Sequence, residues 1–311
     1  MFSMDALCQN YLEFCRYQKN LNDKSLKAYK IDLTQFSSFL TEMNGELDKQ
    51  HISIYISYLY KRYRPKTIKR KIASLKAFCN FLEFDEIIDK NPFTKMKIKF
   101  KEPSLLPKTI SLSIIQSVLT AAYEELPGVQ VHTNTYSQKT ILRDIAVLEL
   151  LFATGVRVSE LCSLTVSDVN ISEGFIKIYG KGSRERIVQI GNEDVLLSLK
   201  NYKEAFSIAD NSAGFFFINR LNNRLSEQSV RYMINKYTRK SGVPVHITPH
   251  MYRHSLATLL LEEDVDIRYI QRILGHSSIV TTQIYTHVTS NKQKSILLTK
   301  HPRNKVILNK G

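Results

Sequence analysis

Residues 174–190 read GFIKIYGKGSRERIVQI. Apolar and polar side chains alternate from Gly174 to Tyr179 and again from Arg186 to Ile190, on either side of the turn Gly180-Lys181-Gly182-Ser183. Period-two alternation around a glycine-bracketed turn predicts a β-hairpin. Phe215 to Ile218 is long enough to add one short strand. Beyond this hairpin the apolar spacing turns helical. On the C-terminal side it predicts helices over Ser226 to Arg239, Pro249 to Glu262 and Ile267 to Leu274, with a short element around Tyr285. Pro249 suits a first helical turn, where a missing N–H leaves no bond unmade. On the N-terminal side, Ile141 to Ala153 reads as a helix ending at Thr154-Gly155, and Ser113 to Tyr123 as another. Glu124 to Gln138, EELPGVQVHTNTYSQ, lies between them as a polar loop. This part of the chain is therefore mainly α with a small antiparallel β-sheet.

Further out, residues 95–111 read KMKIKFKEPSLLPKTIS, and Pro103 and Pro107 disfavour helix there. We place the domain boundary in this stretch: 1–100 as one domain, 101–111 as linker, 112–311 as the second. A length of 311 residues accommodates two cores. The first hundred residues repeat apolar side chains at helical spacing, in Tyr11, Phe14, Cys15, Tyr17 and in Leu26, Tyr29, Leu33, Phe36, Leu40. Further helical stretches run from Ile52 to Tyr60 and through Ile72, Leu75, Phe78, Phe81 and Leu82. A four- or five-helix bundle packs them most simply, with Ser25 as a helix cap and Asn44-Gly45 as a stop.

Hydrophobic residues make up 43% and charged residues 23%, a balance that folds rather than remaining disordered. Lys and Arg number 44 against 29 Asp and Glu, a net charge of +15 that points to a polyanionic partner. Both halves are basic; residues 1–100 alone hold 18 Lys/Arg against 11 Asp/Glu. The run KRYRPKTIKRK supplies Lys61, Arg62, Arg64, Lys66, Lys69, Arg70 and Lys71, seven cations in eleven positions. Read alone it is a solvated helix end; with cationic charge in both domains it becomes a candidate contact to a DNA backbone. Ile145 to Ala153, among the longest apolar stretches, is broken by Glu149 and far shorter than the ~18–20 residues a spanning helix needs, so no membrane role is expected. Without a basic n-region and apolar run at the N-terminus, the expected compartment is the cytoplasm. Cys8, Cys15, Cys79 and Cys162 form no CxxC pair and are expected as buried free thiols.

Each candidate for chemistry has an ordinary structural explanation. Arg157 suits a helix end, Lys181 a solvated hairpin tip, His276 a cap and Tyr285 a core position. His250 and Arg253 share a helix face at a spacing many helices show. His246, His250 and His254 stand four apart, as zinc ligands can, but His246 precedes Pro249 and no carboxylate follows His250 as HExxH requires. No metal site is expected.

The combination is more informative than its parts. GVRVSEL (Gly155 to Leu161), GKGSRER (Gly180 to Arg186), HMYRHS (His250 to Ser255), LGHSS (Leu274 to Ser278) and TTQIYTHV (Thr281 to Val288) occur in this order. Together they resemble the tyrosine recombinase, or phage integrase, family across nearly the whole chain. SLKAYKIDLTQFSSFL (Ser25 to Leu40) and TIKRKIASLKAFCNFL (Thr67 to Leu82) resemble that family's N-terminal core-binding, SAM-like domain. The resemblance implies that Tyr285 is the nucleophile forming a 3′-phosphotyrosine, His250 the base, Arg157 and Arg253 the clamp on the nonbridging oxygens, Lys181 the general acid and His276 a further donor to the phosphate. Glu160 matches an acidic residue that orients this site. It also implies a C-shaped clamp on duplex DNA with paired inverted-repeat sites, a homotetramer working through a Holliday junction, and no metal or other cofactor. Accessory proteins belong to the same expectation. The apolar groups in the tail, Ile296 to Leu298 and Val306 to Leu308, then pack on their own domain or dock on a neighbouring subunit. The long Glu124 to Gln138 loop favours a mobile-element integrase over a compact Xer-type dimer resolvase, while no arm-binding domain is expected ahead of the bundle, which favours a simpler recombinase over the large phage integrases. The rivals are a type IB topoisomerase-like nicking-closing enzyme and a DNA-binding regulator on the same fold. The complete set of six site residues weighs against the regulator.

Overall fold

The computed structural model describes residues 3–94, 96–98, 107–126, 136–179, 185–208 and 214–275. The chain divides into two units, Met1–Ser104 and Leu105–Gly311. The first contains helices α1 (Met4–Tyr17), α2 (Asp23–Glu42), α3 (Lys49–Arg62) and α4 (Pro65–Phe84). Ser3, Asn22 and Asp48 cap the first three, each side chain accepting an N–H three residues on. The expected cap Ser25 is thus replaced by Asn22, whose Oδ1 accepts the Ser25 N–H at 2.9 Å, so the helix starts two residues before Ser25. Pro65 opens α4 at a position where no N–H is needed. Aromatic packing fills the core: the Tyr11 ring lies 5.5 Å from Phe78 and 5.2 Å from Phe81.

A buried ion cluster joins α2 to α4. Asp32 accepts Lys71 Nζ at 3.0 Å and Ser74 Oγ at 2.8 Å, and also bonds Arg70. The side chains of Lys71 and Asp32 are only 4% and 1% exposed. Lys71 therefore faces the bundle, a correction to its expected place among the solvent-facing cations. Its position between Ile68 and Ile72 on the apolar stripe accounts for this, and Asp32 supplies the charge that makes its burial tolerable.

The second unit contains α5 (Leu112–Tyr123), α6 (Tyr136–Thr154), α7 (Val158–Ser163), strands β1 (Val169–Asn170), β2 (Phe175–Tyr179) and β3 (Glu185–Gln189), then α8 (Glu193–Ala205), α9 (Glu227–Lys240), α10 (Pro249–Glu262) and α11 (Ile267–Leu274). Helix α6 starts five residues before the expected Ile141, and α7 and α8 were not anticipated by the apolar spacing. Ile145 to Leu151 is buried on every side of α6, which packs against α5, α8, α9 and α10 as the centre of this unit.

The sheet is antiparallel in the order β1-β2-β3, with Ile178 opposite Arg186 and Ile176 opposite Val188. Its third strand is β1. The expected Phe215 to Ile218 strand instead forms isolated bridges, Thr165 to Phe215 and Ile218 to Arg224. Tyr202 holds that segment by a side chain: its hydroxyl donates to the Phe216 carbonyl at 2.7 Å and accepts the Ile218 N–H at 3.1 Å. The four cysteines are free and buried, and burial pushes the Cys8 and Cys162 thiols up to about 11. No described helix is long and apolar enough to cross a membrane. The hairpin turn, most of the linker, and the expected element around Tyr285 with the tail lie outside the described residues.

Candidate active site

The chain leaves α6 through Gly155, whose φ of +58° turns it sharply toward α7. Arg157 follows as the residue capping α7, and it meets Glu160 twice. Its backbone N–H donates to Glu160 Oε2 at 2.9 Å and its Nη1 to Oε1 at 2.8 Å. Arg186 on β3 meets the same carboxylate from the other side, Nη1 to Oε1 at 3.1 Å and Nη2 to Oε2 at 2.8 Å. Glu160 is nearly enclosed, with 8% of its side chain exposed, whereas Arg157 is 38% exposed. Burial alone would raise the Glu160 pKa; the bonds from Arg186 and from the Arg157 N–H, with both guanidinium charges, outweigh it and hold the carboxyl below its usual range. The carboxylate is anchored from within while Arg157 still reaches solvent.

Helix α10 brings the next two groups. Pro249 starts it, so His250 occupies its first turn and Arg253 lies one turn on, on the same face. Arg253 is buried. Its Nη1 donates to the Gly155 carbonyl at 2.7 Å and its Nη2 to the Leu274 carbonyl at 2.5 Å, tying the ends of α6 and α11 together. These carbonyls carry the negative end of each helix dipole, a favourable place for a cation. His250 lies at the surface of α10, yet partial desolvation and then the charges of Arg253, Arg231 and Arg157 hold its pKa below the ordinary histidine value. His254, one turn on with its ring centroid 6.5 Å from that of His250, is lowered to about 4 by burial, His250 and Arg253. At neutral pH both imidazoles are therefore uncharged, and the His250 ring is able to accept a proton.

Arg157, Glu160, His250 and Arg253 are thus drawn together from α6–α7 and α10. Lys181, His276 and Tyr285 lie outside the described residues. In the first unit Lys61, Arg62, Arg64, Lys66 and Lys69 are exposed, Arg62 stacking its guanidinium 4.4 Å from the Tyr58 ring centroid; Arg70 bonds to Asp32 with Lys71. Sequence reading missed Arg186 and Arg231. Arg186 carried a signal, since it shares strand parity with the buried Val188 and Ile190 and so is a charge on an inward face. Arg231 looked like any cation of an amphipathic helix, paired to Glu227 at 3.1 Å.

In chemical terms the described cluster combines guanidinium groups with a neutral imidazole at its edge. Guanidinium matches the geometry of a phosphate or carboxylate and stays charged at any working pH. Comparison with known proteins agrees with this reading. Residues 125–292 match the phage integrase family and residues 8–84 match the phage integrase N-terminal SAM-like domain. A protein of Agathobacter rectalis named tyrosine recombinase is 50% identical over 304 residues, covering 97% of this chain and 98% of that one. Two solved structures share the fold. The XerH site-specific recombinase bound to palindromic difH substrate, a post-cleavage complex, superposes with a TM-score of 0.75 at 20% identity, covering 96% of this chain and 84% of that one. A lambda integrase tetramer bound to a Holliday junction gives 0.67 at 16% identity over 91% of this chain and 77% of that one.

Proposed function

The chain belongs to the phage integrase family, the tyrosine recombinases that break and rejoin DNA strands at specific sites, and on that premise we propose how its own residues divide the work. Tyr285 attacks the scissile phosphate, a 5′-hydroxyl leaves, and the bond is held as a 3′-phosphotyrosine until the incoming 5′-hydroxyl reverses the step. A phenol with an ordinary pKa of about 10 is protonated at neutral pH and needs help to react. His250 takes its proton. Arg157 and Arg253 receive the nonbridging oxygens, whose charge grows in the phosphorane, so these contacts strengthen where catalysis requires it. Lys181 protonates the leaving oxygen and His276 donates a further bond to the phosphate. Glu160 orients Arg157 rather than touching substrate.

The observation that carries this reading is the bond from Arg253 to the Gly155 carbonyl, two residues before Arg157, which gathers two guanidinium groups near His250 as a positive site for a phosphate, while partial desolvation and then the charges of Arg253, Arg231 and Arg157 lower the imidazole pKa. Lys61, Arg62, Arg64, Lys66 and Lys69 add contacts to the DNA backbone from the first unit. The DNA site is a pair of inverted repeats. Two protomers occupy each site and four assemble across two sites in the cytoplasm, exchanging one pair of strands at a time through a Holliday junction. The palindromic substrate of the XerH structure and the lambda integrase tetramer support this arrangement.

The test is to trap covalent protein–DNA adducts from cells making this chain, with Tyr285→Phe as control, and to sequence the attached DNA. Adducts at one inverted-repeat site, absent with Tyr285→Phe, are expected. Their location at element ends or near a replication terminus distinguishes an integrase from a dimer resolvase. Scattered adducts would instead mean a topoisomerase, and none at all a DNA-binding regulator.

A further inference from the structure

Arg186 has no part in the chemistry assigned above, yet its side chain joins several segments of the site. It is 13% exposed, and its three kinds of nitrogen are all engaged: Nη1 and Nη2 with Glu160, Nε with the Ile273 carbonyl at 3.3 Å. It also fills the space beside Gly275. A Cβ at that glycine would fall 2.8 Å from the Cδ, Nε and Cζ of Arg186, so a side chain there would displace the guanidinium, and the φ of +65° disfavours one as well. Gly275 is the residue immediately before His276 in sequence.

Glu160 carries one negative charge in a nearly closed setting and receives two guanidinium groups. With Arg186 supplying the enclosed partner, the pair is neutral without Arg157, and the half-buried Arg157 guanidinium, although it touches Glu160, adds a net positive charge for an incoming anion. If Arg186 were neutral, Glu160 would require Arg157 as its counter-ion, because a buried carboxylate without one is strongly disfavoured. The carboxylate would then compete with the phosphate for the same guanidinium.

Building on the assignment of Arg157 to the scissile phosphate, we infer that Arg186 is a positioning residue for strand cleavage. It acts as the internal counter-ion of Glu160, leaves Arg157 to the DNA, and ties this arrangement to the chain just ahead of His276. Lysine is a poor substitute, since one ammonium cannot present two parallel donors to Glu160 and a third to Ile273.

The experiment uses the full chain and a nicked suicide duplex bearing the sequence recovered from wild-type adducts. Single-turnover adduct formation, DNA affinity and melting temperature are measured for Arg186→Lys, Arg186→Met, and Arg186→Met combined with Glu160→Gln. The Lys variant is expected to form adduct ~10–100-fold more slowly while binding DNA within about 3-fold of wild type, as a misplaced catalytic contact requires. Replacing Glu160 by Gln in the Met variant removes the competing charge and is expected to restore part of the rate, ~5-fold or more, a non-additive rescue that loss of packing would not produce. Arg186→Lys retains the charge and much of the length, so it carries the test if the Met variants do not fold. An undiminished Lys variant overturns the inference. So does a double variant slower than Arg186→Met. A wild type that forms no adduct removes the phosphate assignment itself and this inference with it.

Discussion

Replacing Gly155 by alanine tests the geometry of the site through two separable contributions. The first is backbone strain: at a φ of +58° an L side chain is disfavoured by ~1–2 kcal/mol. The second is overpacking. The new Cβ falls 2.9 Å from a methyl of Leu256 and 2.9 Å from one of Leu274, both in α10 and α11 against which Gly155 rests, and forcing such a contact costs ~1–3 kcal/mol more. Gly242 provides the control. Its φ is +71°, and a Cβ there meets nothing within 4 Å, so Gly242→Ala carries the strain without the clash. With ~2–4 °C lost per kcal/mol in a unit of this size, Gly242→Ala is expected to melt ~2–8 °C below wild type and Gly155→Ala ~4–20 °C below. Differential scanning calorimetry of the purified chain measures both. The Gly155 carbonyl also accepts Arg253 Nη1, so adduct formation should fall in Gly155→Ala and hold in Gly242→Ala. Melting of the two variants within about 1 °C of each other would show that the Leu256 and Leu274 contacts do not confine Gly155, and the reasoning would fail.

Asp32→Ala leaves Lys71 buried without its carboxylate and should destabilise the first unit by ~3–5 kcal/mol in urea titrations, against a much smaller loss for Asp32→Leu combined with Lys71→Met. The pH dependence of cleavage gives an independent check on His250. A base acts when deprotonated, and desolvation together with the neighbouring guanidinium groups lowers its pKa, so the acid limb of the single-turnover rate should lie below the ordinary histidine range. Arg231→Gln removes one of those charges and should move that limb to higher pH; an unmoved limb would mean that Arg231 does not act on the imidazole.

The helices with strong period and clear ends were legible in the sequence. Pro249 to Glu262 and Ile267 to Leu274 are found as read, because a proline begins the first and an αL glycine, Gly275, ends the second. Helix α7 is six residues long and α8 carries polar residues through much of its length, so neither produced a persuasive apolar rhythm. Strand β1 has two residues, too few to show alternation. Phe215 to Ile218 had the composition of a strand, but Tyr202 meets its backbone groups where a neighbouring strand would have done so. At the site, the motifs marked Arg157, Glu160, His250 and Arg253, whereas the partners drawn from distant segments, Arg186 and Arg231, were not marked. Arg186 and Glu160 are twenty-six positions apart in sequence, and only the folded hairpin brings them into contact.

The anchoring of Arg253 has a consequence for how variants at this position are read in living cells. Its guanidinium joins two helix ends by main-chain carbonyls, so under the role proposed above the same side chain serves folding as well as reaction. A loss of ~1–2 kcal/mol is enough to change cellular abundance several-fold. A screen that scores recombination alone will therefore report missing protein and missing chemistry as one phenotype at Arg253, and only normalising to the amount of folded chain separates them.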